Sequence, residues 1–211
     1  MKEYENQAEA ADYFFDRCRD PISPQSRVLL FRPSLGHVPF PTRDPAQLEF
    51  CETEKTAAFR LESQGFKPFG GQQNDFDLVV IFATKHKEEV LYHLSLGINA
   101  LRPQGEIVLV AANDLGAQSL ERKVSELLTG PLQVVSKHKC RVVRARLNEV
   151  NIDESLKVEW NQHGQLQKLE ATGLYACPGV FSWKKIDEGS RWLAESLPSD
   201  LQGHGADIGA G

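Results

Sequence analysis

Asp207-Ile208-Gly209-Ala210-Gly211 is the stretch of this sequence with the clearest chemical use. An acidic residue, an apolar one and two spaced glycines behind a short strand form the turn that opens many nucleotide-type cofactor sites. Glycine turns there without a Cβ clash. It also lets a ligand approach the main chain in front of the next helix's N-terminus. A flexible glycine-rich tail is the competing reading of the same residues. A second group is basic. Lys137, Lys139, Arg141, Arg144 and Arg146 place five cations within ten residues, with no acidic residue from Pro131 to Leu147. Such a run suits contacts with RNA phosphates. A solvated edge strand, charged against aggregation, has the same composition. If Cys140 to Leu147 is a strand, Arg144 and Arg146 share one face and Arg141 takes the other. A third group sets Lys184, Lys185 and Arg191 beside Trp183 and Trp192, a mixture able to stack on bases. For Trp192 the simpler reading is the apolar stripe of a helix. The six histidines show no metal-ligand spacing, and no metal site is expected.

The elements that must position these groups follow from composition and periodicity. With 211 residues, 41% of them apolar, there is material for one ordinary domain plus an extension, or for two small ones. No apolar run reaches membrane-spanning length, so no membrane partner is expected. Met1-Lys2-Glu3-Tyr4-Glu5 is not a secretory signal. Cys18, Cys51, Cys140 and Cys177 form no Cys-x-x-Cys pair, which favours reduced thiols in a cytoplasmic protein. A net charge of −5 argues against generic coating of nucleic acid while permitting a local basic face.

An N-terminal amphipathic helix is predicted around Tyr13-Phe14-Phe15, ending near Pro21. Strands are predicted at Val28 to Phe31, Leu48 to Cys51, Phe76 to Phe82 and Glu106 to Ala111. The last two are continuous apolar runs, which suit parallel strands covered on both faces. Helices fall between them: Thr53 to Ser63, one carrying Leu91, Leu94, Ile98 and Leu101, and one carrying Leu120, Val124, Leu127 and Leu128. Two strands joined by Ser136-Lys137-His138-Lys139 close the series as an antiparallel hairpin. The expected fold is α/β, a doubly wound, mostly parallel sheet with an antiparallel strand. Beyond it, a β-hairpin is predicted from Leu156-Val158-Trp160 and Leu166 to Ala171, then a helix from Ile186 to Leu197. The expected division is residues 1–148 and 149–211.

The ordered series Pro178-Gly179-Val180-Phe181-Ser182, Ile186-Asp187-Glu188-Gly189-Ser190, a helix, then Ala206 to Gly211 resembles the bacterial ribosomal RNA guanine-N2 methyltransferases of the small (16S) and large subunits. The earlier strands match that family's N-terminal half in order. The resemblance implies a degenerate, non-catalytic methyltransferase-like domain, then a linker and the start of a catalytic domain. The sequence ends inside the first cofactor motif, so it is expected to be a fragment and inactive by itself. By resemblance, Asp207, Gly209 and Gly211 line the S-adenosylmethionine site of the full-length enzyme, and Phe181 and Asp187 lie in the segment closing over it. No cofactor is expected to bind this fragment.

The N-terminal half agrees with that division of labour. After Phe31, where a glycine-rich turn would stand, the sequence has Arg32-Pro33-Ser34-Leu35-Gly36, which offers no open amide cradle. Ala83-Thr84-Lys85-His86-Lys87 stands where the family's Asn-Pro-Pro-aromatic motif would position a base's amine. The implied partners are ribosomal RNA or a ribosomal subunit and the catalytic domain in cis. Exposed apolar surface at Val180, Phe181, Trp192 and Leu193 would favour dimers. Two other functions stay open at this point: a stand-alone nucleotide-binding α/β enzyme, and a protein-interaction module.

Overall fold

The computed structural model describes all residues except 1, 19–21, 34–36, 40–43, 72–74, 170–172, 181, 199, 201 and 205–211. It divides into two compact units, Met1–Gln165 and Leu166–Gly211.

In chain order the first unit contains α1 (Lys2–Arg17), β1 (Val28–Phe31), β2 (Leu48–Cys51), α2 (Lys55–Ser63), β3 (Lys67–Pro68), β4 (Phe76–Phe82), α3 (Lys87–Ala100), β5 (Leu101–Ala112), α4 (Ala117–Leu127), β6 (Leu128–Thr129), β7 (Gln133–Lys137), β8 (Cys140–Arg146), β9 (Asn151–Ile152) and α5 (Glu154–Gln162). Seven strands form one sheet in the order β3-β2-β1-β4-β5-β8-β7. The first five of that order run parallel, and β8 lies antiparallel between β5 and β7. The expected fold class is therefore the one observed. The direction of winding reverses between β1 and β4, which creates the crevice where open α/β sheets take ligands.

Alternation along the strands builds two cores. Leu29, Phe31, Val79, Ile81, Ile107 and Leu109 face α3, α4 and α5. Val28, Leu30, Leu78, Val80, Val108 and Val110 face the other layer, where Ala10, Ala11 and Phe14 of α1 and Leu61 of α2 close over them. Residues of one strand thus go to both layers, which explains the unbroken apolar runs. In α1, Gln7, Ala10, Ala11 and Phe14 keep helical spacing and are buried. Burial of a side chain the size of Phe14 contributes about 2–3 kcal/mol. Gly97 lets α3 approach the sheet, because a Cβ there would meet Val79 Cγ1 at 2.9 Å.

Two sequence expectations are corrected. Leu156 to Trp160 is not a strand but lies inside α5. The alternation Leu-Lys-Val-Glu-Trp reads as period two. Yet Val158 is exposed, whereas Trp160 is buried and Leu156 packs partly buried on the same core, an i, i+4 pair. Asp153 caps the helix by accepting a hydrogen bond from Leu156 N at 3.0 Å. The Ser95 hydroxyl of α3 donates to the Lys157 carbonyl at 2.8 Å and pins α5 down. The first compact unit accordingly runs to Gln165, past residue 148. The second correction concerns β5. It begins at Leu101, whose Cα pairs with Phe76, so Arg102 to Gly105 join the strand instead of preceding it.

The second unit contains β10 (Gln167–Lys168), β11 (Tyr175–Ala176) and α6 (Glu188–Ser196). β10 and β11 pair antiparallel, so the hairpin predicted in this region is present, but later and shorter than expected. No described helix is long and apolar enough to cross a membrane.

Candidate functional site

The crevice at the carboxyl ends of β1, β2 and β4 is a cavity of about 180 Å³, bordered by Tyr4, Arg32, Glu52, Ala57 and Thr84 among others. The chain leaves β1 through Arg32, which sits at φ 52°, a left-handed conformation that glycine would adopt without cost. The guanidinium is engaged within the crevice rather than left to solvent. Nη1 donates to Glu52 Oε1 at 2.6 Å and to the Thr53 hydroxyl, and Nε lies 3.4 Å from Glu89 Oε1. Glu89, in the first turn of α3, accepts the Thr84 hydroxyl on Oε2 at 2.7 Å. Glu52 Oε1 also accepts Thr53 N at 2.7 Å and Glu54 N at 2.9 Å. From α1, Gln7 Nε2 donates to the Ala83 carbonyl at 2.9 Å, next to the end of β4.

Burial sets the titration of these groups. It raises the Glu52 carboxyl above its ordinary value, with Arg32 opposing the shift. It raises the Tyr4 phenol and pushes the Cys51 thiol up to about 11. Beneath the crevice His93 stacks on Phe31, ring centroids 4.9 Å apart. Burial, then the nearby Arg32 cation, hold its imidazole down at about 3. Its Nδ1 has no hydrogen-bond partner among the described residues. The site is therefore an arginine set between two buried carboxylates, in the position that a glycine-rich cradle would take.

The five basic residues do not form one surface. Arg144 and Arg146 share a face and both reach Glu106: Arg144 Nε to Oε2 at 3.0 Å, Arg144 Nη2 to Oε1 at 2.5 Å, and Arg146 Nε to Oε1 at 3.0 Å. Arg144 Nη1 also donates to Gln133 Oε1 at 2.9 Å. Arg141, on the opposite face, pairs with Glu121 of α4. Lys137 lies over the Tyr13 ring at 5.3 Å. Lys139 stands in the two-residue turn with His138, both at positive φ. Glu106 and Glu121 lie outside the run from Pro131 to Leu147, so the run itself carries no sign of these partners. The β5–β8 register sets Glu106 directly opposite Arg146.

In the second unit Asp187 is the N-cap of α6. Its Oδ1 accepts Ser190 N at 3.1 Å and its Oδ2 the Ser190 hydroxyl at 2.6 Å. These bonds lower its pKa, the hydroxyl contributing most. Asp187 borders a groove of about 610 Å³ whose apolar walls include Leu174, Tyr175, Val180, Trp183 and Ile186. Lys184 Nζ lies 4.8 Å from the Trp183 ring centroid. The apolar stripe of α6 faces outward, with Trp192 58% and Leu193 60% exposed. Phe181, Asp207, Gly209 and Gly211 lie outside the described residues.

Two family models match in chain order. "Methyltransferase small domain N-terminal" spans residues 47–163, and "Methyltransferase small domain" spans residues 171–211. The chain belongs to the methyltransferase small domain N-terminal family. In this family member the first match runs from just before β2 to the end of α5 and includes Glu52 and Glu89. The second includes Asp187 and the terminal glycine motif. The chain is 32% identical over 148 residues to ribosomal RNA small subunit methyltransferase C of Shewanella piezotolerans, covering 68% of this chain and 42% of that protein. It is 30% identical over 141 residues to the protein of the same name from Psychromonas ingrahamii, covering 66% and 40%. The chain thus spans about two-fifths of the length of these curated relatives. Among solved structures, the T. thermophilus 16S rRNA N2 methyltransferase in complex with AdoMet and guanosine is similar in fold. The TM-score is 0.64 at 21% identity, covering 88% of this chain and 51% of that one.

Proposed function

We propose that this chain is the N-terminal, non-catalytic part of an S-adenosylmethionine-dependent ribosomal RNA methyltransferase of the 16S type, acting in the cytoplasm, with the opening of its catalytic domain attached. Methyl transfer goes to the exocyclic N2 of a guanine in the full-length enzyme. The first unit supports the catalytic domain and orients RNA. The single observation that carries this reading is the order of the two family matches, residues 47–163 and then 171–211. The first falls on a sheet whose switch point holds Arg32 instead of a glycine cradle. The second contains the Asp-x-Gly-x-Gly motif.

In the full-length enzyme Asp207, Gly209 and Gly211 hold the cofactor, and Phe181 and Asp187 belong to the segment that closes on it. The cofactor supplies an electrophilic methyl group. A paired guanine must first be exposed before its amine can be reached. For RNA the five cations are unequal candidates. Lys137 and Lys139 are exposed at the hairpin tip. Arg141, Arg144 and Arg146 are committed to carboxylates first. The exposed stripe of α6, Trp192 and Leu193, supports a second reading in which the second unit docks a protein, either the catalytic domain in cis or a second copy of the chain.

The test compares two chains. The 211-residue chain is titrated calorimetrically with S-adenosylmethionine, and a chain extended through the whole catalytic domain is assayed on 16S rRNA within small subunits. No heat from the first and guanine-N2 methylation by the second is the expected result. Micromolar binding by the 211-residue chain would overturn the non-catalytic reading. Concentration-dependent dimers in sedimentation would favour the docking reading.

A further inference from the structure

The two edges of the sheet are finished differently. β3 is short, Lys67–Pro68, so a lysine and a proline blunt it against further pairing. β7, Gln133–Lys137, stands at the opposite edge. It holds no proline, and its register with β8 runs without a bulge. The arginines that give this region the charge of a guarded edge, Arg141, Arg144 and Arg146, lie on β8, which has a neighbouring strand on each side. Lys137 is the charged residue of β7, and its ammonium lies back over the Tyr13 ring of α1. The turn at His138 and Lys139 makes Lys137 and Cys140 a hydrogen-bonded pair. Alternation then points the amide and carbonyl groups of Val134 and Ser136 away from β8. Both residues are exposed, Val134 at 40%. No backbone hydrogen bond from a described residue outside the strand pairing reaches them.

We propose that β7 is an interface between two copies of this chain, paired antiparallel about a two-fold axis at Val135, so that two seven-stranded sheets join into one. This register uses every outward group of both strands. Val134 pairs with Ser136 of the second copy, Ser136 pairs with Val134 of the second copy, and Val135 lies beside its own counterpart. Val135 packs partly buried on the second core, so the pair on the axis is apolar. Charge is complementary along the seam. Lys137 comes beside Gln133 of the second copy, and Gln133 Nε2 donates to the Cys18 carbonyl at the C-terminal, negative end of α1. The two Lys137 residues stand at opposite ends of the seam, about 13 Å apart along the strands. Roughly four backbone hydrogen bonds over a small area make the association weak and reversible. The surface is separate from the exposed stripe of α6, and the inference is independent of the methyl-transfer reading.

The experiment is sedimentation velocity of the 211-residue chain from about 10 μM to about 1 mM, with dimers expected to grow in over that range. Ser136→Pro removes an outward N–H and leaves the hydrogen bonds to β8 in place. Val134→Lys puts a charge on the open edge at an exposed position, where the fold tolerates it. Each substitution should weaken dimerisation at least about tenfold. Cross-linking reads the register. Under oxidant Val135→Cys should give a disulfide-linked dimer above the background of the parent's own cysteines, because the Cα atoms of that pair lie about 4.5 Å apart. Ser136→Cys should not, because the proposed register holds its two copies about 8 Å apart. Monomers throughout the range would overturn the proposal, and so would equal cross-linking of the two cysteine variants. Dimers that persist in Ser136→Pro and Val134→Lys but vanish in Trp192→Glu would place the contact on α6 and also overturn it.

Discussion

Arg144 grips Glu106 by both carboxylate oxygens, Nε to Oε2 at 3.0 Å and Nη2 to Oε1 at 2.5 Å, between neighbouring strands of the sheet. Glu106 is buried, so this pair is more than a surface ornament. Removing the cation leaves a buried carboxylate that still pairs with Arg146. Arg144→Ala should therefore cost about 2–4 kcal/mol in urea unfolding, toward the lower side of what a broken buried pair costs. Lys139→Ala, at the exposed turn, should change stability by less than about 0.5 kcal/mol. An RNA-binding defect in Arg144→Ala with unchanged unfolding would contradict the structural role given to this residue.

Protonation of His93 opposes folding. Its imidazole stays neutral in the fold down to about pH 3, whereas an unfolded histidine takes up a proton near 6.5. Between those values the unfolded chain binds the extra proton, so stability rises with pH across the window. The contribution is complete above 6.5 and is lost as pH falls toward 3, with a slope of up to about 1.4 kcal/mol per pH unit. His93→Phe keeps the ring against Phe31 and removes Nδ1, which has no hydrogen-bond partner among the described residues. Urea unfolding of both proteins at pH 7 and pH 5 isolates the effect. The variant should lose less stability on acidification than the parent, and equal losses would refute this assignment.

The β7–β8 turn holds His138 at φ 49° and Lys139 at φ 55°. Such two-residue hairpin turns favour glycine at the second position. Lys139→Gly should raise the melting temperature, by about 0.5–1 kcal/mol in free energy once the looser unfolded chain is counted. His138 is a poorer choice for the same change, because its Nδ1 meets Glu9 Oε2 at 3.0 Å and its ring meets Tyr13 edge-on. A lower melting temperature for Lys139→Gly would show that the turn is not strained.

Trp160 ties α5 into the first core. Trp160→Ala should cost about 3–5 kcal/mol, and Asp153→Ala about 0.5–2 kcal/mol through loss of the cap. If residues 149–165 were a mere linker, neither substitution would move the unfolding midpoint. A single cooperative transition that shifts with both is the expected outcome.

Much of the fold was legible because it is written in short-range pattern. Phe76 to Phe82 and Glu106 to Ala111 are strand-length apolar runs, and Gly65, Gly130 and Pro131 punctuate the elements between them. The loss of a glycine cradle after Phe31 was equally plain, since it depends only on which residues stand there. The helical start signal at Asp153 was also present, but alternation over Leu156 to Trp160 masked it. Which period prevails depends on the surface the segment meets, and α3 offers α5 a helical groove.

The amino-acid sequence by itself determined the order and kind of most elements, the sheet class and the family series from Pro178 onward. Only the tertiary structure decided what the charged groups do. Arg32, Glu52 and Glu89 lie far apart in the chain and meet because β1 and β2 end, and α3 begins, at one crevice. Glu106 meets Arg144 and Arg146 because of the β5–β8 register. A side chain's charge is local information, whereas its partner is chosen by strand order and register, which long-range packing sets.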